Sequence, residues 1–82
     1  MTIDMVYFDG IHLVADSIKE LHEFARKCGM NIQWYQNHPA HPHYDVWGWC
    51  RQVVRRKADK GEVKIISSKE LLTIAQKMKQ NG

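Results

Sequence analysis

The sequence predicts a small α/β domain of βαβαβα order, two or three layers deep, built on a mostly parallel three-stranded sheet. Three observations carry this. Short β-prone runs alternate with longer segments of helical period, serine capping boxes stand before two of the helical segments, and glycines follow where helices should stop.

Ile3 to Phe8 reads as the first strand, since Met5-Val6-Tyr7-Phe8 is apolar and runs into the turn signal Asp9-Gly10. Ser17 and Glu20 then form a capping box for a helix from Ser17 to Cys28. Ile18, Leu21, Phe24, Ala25 and Cys28 make its apolar stripe, and Gly29 follows it. Asn31 to Gln36 is expected as a second strand, with Ile32, Trp34 and Gln36 on one face. Pro39 and Pro42 exclude regular structure from the segment that follows. A second helix is expected from about Val46 to Asp59, with Trp47, Cys50, Val54 and Ala58 as its buried stripe and Gly48 weakening its first turn. Glu62 to Ile66 completes the strands, and Ser67 with Glu70 caps a last helix carrying Leu71, Leu72, Ile74, Ala75 and Met78.

The 82 residues hold one domain, 1–82, with a single core and no repeat or linker. A chain of this size leaves about a third of its unfolded surface exposed, so three strands alone make a homodimer an expectation. Cys28 and Cys50 lack CxxC spacing and are expected to be free core thiols, which with the absence of a secretory leader or long apolar run predicts a cytoplasmic protein away from membranes. The net charge of +3 favours an anionic ligand without resembling a histone-like tail. Arg51, Arg55, Arg56, Lys57 and Lys60 fall in one window relieved by Asp59. A solvated helix face is the ordinary explanation, and a phosphate-attracting stripe is the functional one.

The candidate chemistry gathers beyond the carboxyl ends of the predicted strands, where open α/β sheets bind ligands. Asp9 and His12 follow the first strand, Gln36 to Asp45 the second, and Ser67 and Ser68 the third. His38 and His41 read as turn residues beside prolines, and His22 as a packed or surface histidine of the first helix. His43 is the stronger candidate because Tyr44 and Asp45 place a phenol and a carboxylate beside it. Asp45 is either the cap of the second helix or the group that fixes an imidazole tautomer. Asp9, His12, His43 and Asp45 are fit to ligate zinc, manganese or magnesium, but neither HExxH nor paired Cys/His spacing occurs. A site without cofactor is therefore expected, with a divalent metal as the less favoured alternative. Trp34, Tyr35, Tyr44, Trp47 and Trp49 crowd the same loop, and stacking rings beside Arg51 suit a nucleotide-like ligand. No glycine-rich phosphate loop is present, which excludes ATP or NAD bound in the standard ways.

Taken together, Val6-Tyr7-Phe8-Asp9, His12-Leu13-Val14-Ala15-Asp16-Ser17, Glu20 to Ala25, Trp34-Tyr35-Gln36, His43-Tyr44-Asp45 and Arg51 resemble a family of small bacterial and phage proteins described only as a domain of unknown function. The resemblance covers nearly the whole chain, with HLVADS and HYD its most specific strings. It departs at Gly10, where a second Asp is common, and at Cys50, where a Lys commonly precedes the Arg. The resemblance implies that His12, Asp16, His43, Tyr44, Asp45 and Arg51 belong together.

The expected function is a hydrolase, a phosphodiesterase acting on a nucleotide or cyclic (di)nucleotide. His12 and His43 would act as acid and base, Asp45 would orient one imidazole, and Arg51 with Tyr44 would stabilise the phosphorane; Asp9, Asp16, Trp34 and Trp47 complete the candidate ligand site. The rivals are a binder that sequesters a nucleotide, as a phage counter-defence factor would, a metal-dependent hydrolase, and a nucleic-acid-binding module using the Arg51–Lys60 stripe. Nucleic acid is the less favoured partner.

Overall fold

The computed structural model describes residues 5–80. Its strands are β1 (Val6–Phe8), β2 (His12–Ala15), β3 (Tyr35–Gln36), β4 (His43–Asp45) and β5 (Val63–Ile65). Its helices are α1 (Ile18–Lys27), α2 (Cys50–Asp59) and α3 (Ser68–Gln80), with one 3-10 turn at Ile32–Trp34. The five strands form one sheet in the order β3-β4-β2-β1-β5. Only β1 and β5 are parallel, whereas β1–β2, β2–β4 and β3–β4 are antiparallel. The expected three-stranded, mostly parallel sheet is thus replaced by a mixed sheet. The shortage of strands that made a dimer an expectation disappears with it.

The cause is the turn at Asp9-Gly10. Gly10 takes φ +104°, a conformation costly for any side chain. Asp9 Oδ1 accepts the backbone N–H groups of Ile11 at 2.9 Å and His12 at 2.7 Å. Those bonds fold the chain straight back into β2, which makes a hairpin where a strand–helix connection was expected. Ile3 and Asp4, the beginning of the predicted first strand, lie outside the described residues. The predicted strand over residues 31–36 shrinks to Tyr35–Gln36, because the Asn31 side chain accepts Gln33 N–H at 2.8 Å and starts the 3-10 turn.

The helices follow their caps. Ser17 Oγ accepts Glu20 N–H at 3.2 Å, and Ser67 Oγ accepts Glu70 N–H at 3.2 Å. The second helix starts at Cys50, four residues later than expected, because Val46 continues the sheet edge by donating to Ile11 O at 2.9 Å. Gly48, at φ +56°, then turns the chain into α2.

Successive strand residues face opposite sides of a sheet, and both sides here are covered. Tyr44 meets α1 on one side, where Cys50 Sγ of α2 also approaches Cys28 O at 3.7 Å. On the other side Leu71, Leu72 and Ala75 of α3 line a hollow with His12 and His43. The architecture is therefore three-layered. Phe8, Leu13, Val14, Leu21, Tyr44, Val46, Val54 and Met78 are its largest fully buried apolar side chains. Cys28 and Cys50 are buried free thiols, and burial pushes that of Cys28 up to about 11, so it is an unreactive core residue. No helix among the described residues is long and apolar enough to cross a membrane.

Candidate functional site

The hairpin and the β2–β4 pairing together make the site. His12 lies directly opposite Asp45 across the ladder. His43, two residues before Asp45, shares its face. One donor atom from each of His12, His43 and Asp45 lies within 4.8 Å of the others. Asp45 Oδ1 stands 3.3 Å from His43 Nε2 and 3.8 Å from His12 Nε2. The two rings meet edge-on with centroids 5.1 Å apart.

The far side of each imidazole is fixed. Asp9 Oδ2 sits 2.9 Å from His12 Nδ1, and its side chain is only 2% exposed. Burial alone would raise the Asp9 carboxyl. Hydrogen bonds from Ser68, from the His12 ring and from the backbone of His12 and Ile11 outweigh that penalty and hold it at about 2. Asp9 is thus a carboxylate and can only accept, so His12 Nδ1 carries the proton. The Ser68 hydroxyl, at the start of α3, donates to the same Oδ2 at 2.6 Å. His43 Nδ1 is 2.8 Å from the carbonyl oxygen of His41, which likewise can only accept. In their neutral forms both rings therefore present a lone pair at Nε2, toward the same carboxylate oxygen.

Other predicted site residues lie elsewhere. Tyr44 is 1% exposed and faces away from His43 and Asp45. Its hydroxyl is 2.7 Å from His22 Nδ1, and burial, with Tyr35 nearby, raises it above the ordinary phenol. Strand alternation puts Tyr44, expected beside His43 and Asp45 at the site, in the core on the opposite face of the sheet. Asp16 is also outside the cluster, with Oδ2 accepting Met5 N–H at 2.9 Å and Oδ1 the Tyr7 hydroxyl at 3.0 Å. It ties the far end of the hairpin. Arg51 Nε donates to Val46 O at 2.8 Å and so braces the turn after Asp45. Trp34 is half-buried against the core, whereas Trp47 is 53% exposed. His38 and His41 stack in parallel at 3.7 Å on the proline loop. Ser68 entered the sequence reading only as a polar residue after the last strand, and its bond to Asp9 had no local signal because 59 residues separate the two.

Fold and site together define a small three-layer α/β domain with a His–His–Asp cluster at one sheet edge. The chain belongs to the family described as Protein of unknown function (DUF4031), which matches residues 4–78. No curated protein and no solved structure matches it.

Proposed function

We propose that this protein is a metal-dependent hydrolase of phosphodiester bonds in nucleotide-like substrates, with His12 Nε2, His43 Nε2 and Asp45 Oδ1 as the ligands. The observation that carries the reading is the convergence of these donors while both Nδ1 protons are held from behind. Ligands on a tetrahedral zinc ion lie about 3.4 Å apart, given Zn–N and Zn–O bonds of about 2.0–2.2 Å. The 3.3 and 3.8 Å separations at Asp45 are close to that edge length. The carboxylate–histidine bond of Asp9 to His12 is the usual outer support of a metal-binding imidazole.

Charge favours this reading over a metal-free pair of acid and base histidines. Asp45 Oδ1 lies within 3.8 Å of both Nε2 atoms, so an anionic phosphorus centre between the rings would press against a carboxylate. A divalent cation there is attracted instead. Three protein ligands would leave a fourth position for water, whose pKa a zinc ion would lower to about 7. Such an ion would supply the hydroxide nucleophile for phosphorus and draw charge from a non-bridging oxygen, while the P–O bond to the leaving alcohol breaks and its alkoxide takes a proton from water. The overall positive charge and the exposed Trp47, two residues after Asp45 in the chain, favour an aromatic, anionic substrate.

Metal-stripped protein titrated calorimetrically with zinc and manganese is expected to bind one equivalent, and to cleave cyclic dinucleotides or short RNA only when loaded. Failure of the stripped protein to bind either metal would discard the reading. Metal binding without cleavage of any phosphodiester would remove the hydrolase and leave a metal-binding module.

A further inference from the structure

Directly after Asp45 in the chain comes an exposed segment whose composition the fold does not explain. Trp47 follows Asp45 by two residues, with the buried Val46 between them, and Trp49 stands immediately before α2. Trp47, Trp49 and Ile11 are 53%, 67% and 49% exposed, an arrangement that burial energetics disfavours in a chain with so little core to spare. Val46 N–H bonds Ile11 O, so the Ile11 and Trp47 backbones are neighbours across the end of the sheet.

The ridge continues along α2. Gln52 and Arg56 follow Trp49 at helical spacing on its exposed side, with Arg55 alongside. Arg55 also reaches back to the hairpin, its Nη2 lying 3.9 Å from where a Cβ on Gly10 would stand. Neither Arg55 nor Arg56 forms an ion pair among the described residues. Asp59 is the acidic residue at the far end of this helix. The exposed strip that starts two residues after Asp45 and runs along α2 therefore carries two solvent-facing indoles and two guanidinium groups that form no ion pair among the described residues.

We infer that this strip is a binding track for single-stranded nucleic acid, with bases stacked on Trp47 and Trp49 and phosphates paired to Arg55 and Arg56. The inference deepens the hydrolase reading by naming its substrate class, but it concerns binding and stands without metal. Indoles offer a stacking surface to any base and guanidiniums a fork to any phosphate, so affinity without strong sequence preference is expected. A duplex hides its bases from the indoles. A protein partner would use the apolar residues and leave the arginines without a role. An anionic membrane could engage both kinds of residue, and the test treats it as a competing outcome.

Metal-stripped protein in EDTA is titrated against short fluorescein-labelled oligo(dT) and oligo(U), the matching duplex, and phosphatidylserine–phosphatidylcholine vesicles. Single strands are expected to bind at least about 10-fold more tightly than duplex. Raising salt from about 50 to 200 mM should weaken them about 7-fold if the two arginines engage two phosphates. Trp47→Ala with Trp49→Ala should lower single-strand affinity by about 10-fold or more, and Arg55→Ala with Arg56→Ala should flatten the salt slope. All four positions are exposed or at a turn, and matching circular dichroism spectra verify the fold. His43→Ala should bind strands normally, so loss of metal chemistry and loss of the track are read separately. Equal affinity for duplex, indifference to the tryptophan changes, or binding to vesicles alone would each overturn the inference.

Discussion

Two histidine-containing neighbourhoods sit back to back on the three residues of β4, one completed by a carboxylate and the other by tyrosines, and they are built for opposite ends. On one face His43 and Asp45 join His12, with side chains 15%, 26% and 37% exposed and the two Nε2 atoms turned toward the same carboxylate oxygen. On the other face Tyr44 is sealed under α1, its hydroxyl occupied by His22 and its ring 5.3 Å from that of Tyr35. Histidine serves on both faces, as a donor toward an open edge on one and in a mutually satisfied core pair on the other. Partners and burial make the difference. A hydroxyl with its hydrogen bond made and no solvent has little left to offer chemistry, whereas an imidazole held by one nitrogen keeps the other free.

Four substitutions break or sharpen this contrast. The largest effect belongs to the closed face. Tyr44→Ala should cost about 3–5 kcal/mol of stability by urea unfolding, since it empties a fully buried aromatic site. Next comes His43→Ala, which should leave the urea midpoint within a small margin of wild type but lower zinc affinity by about 100-fold or more in calorimetry, an outer-sphere partner alone being worth about 10–100-fold.

Asp9→Asn stands between the two faces and should show both effects. Zinc affinity should fall about 10–100-fold through the loosened His12 ring. Stability at neutral pH should fall by about 2 kcal/mol, the equivalent of holding this carboxyl near 2 against its ordinary 3.8. A depressed acid stabilises the fold at every pH above its unfolded value and ceases to do so as pH falls through its folded value. The wild-type advantage over Asp9→Asn should therefore be full above about pH 4 and gone near pH 2. A constant difference across that range would show that Asp9 acts by packing alone. The smallest effect is that of Tyr44→Phe, which should cost about 1 kcal/mol by leaving His22 without its partner and leave zinc binding unchanged. A change in metal affinity there would mean that the two faces are coupled through β4.

The helices were legible in the sequence because their signals are local. Ser17 and Ser67 cap within one turn, and the apolar stripes repeat within a few residues. The sheet was less legible for two separate reasons. The Asp9-Gly10 pair, flanked by Val6-Tyr7-Phe8 and His12-Leu13-Val14-Ala15, is a hairpin signal present in the sequence, and reading it as a strand–helix turn cost the sheet its second strand. β4 carries no such signal. Three residues are too few to establish a period, and their extended state comes from pairing with β2 and β3. Once His43-Tyr44-Asp45 is a strand rather than a helix approach, alternation alone separates Tyr44 from its neighbours. The edge that gathers Asp9, His12, Asp45 and Ser68 was found despite the wrong sheet. Antiparallel β2 brings its first residue to the edge where β1, β4 and β5 end.

The bond from Ser68 to Asp9 gives the site a place in time. Asp9 and His12 leave the ribosome early, but the hydroxyl that completes the carboxylate's set of partners emerges 59 residues later. Contacts of such separation form only after the intervening chain has ordered, because loop closure must be met first. The Asp9–His12 pair can form as soon as the hairpin does, whereas the full set of partners on the Asp9 carboxylate is a late product of folding, completed only when α3 docks.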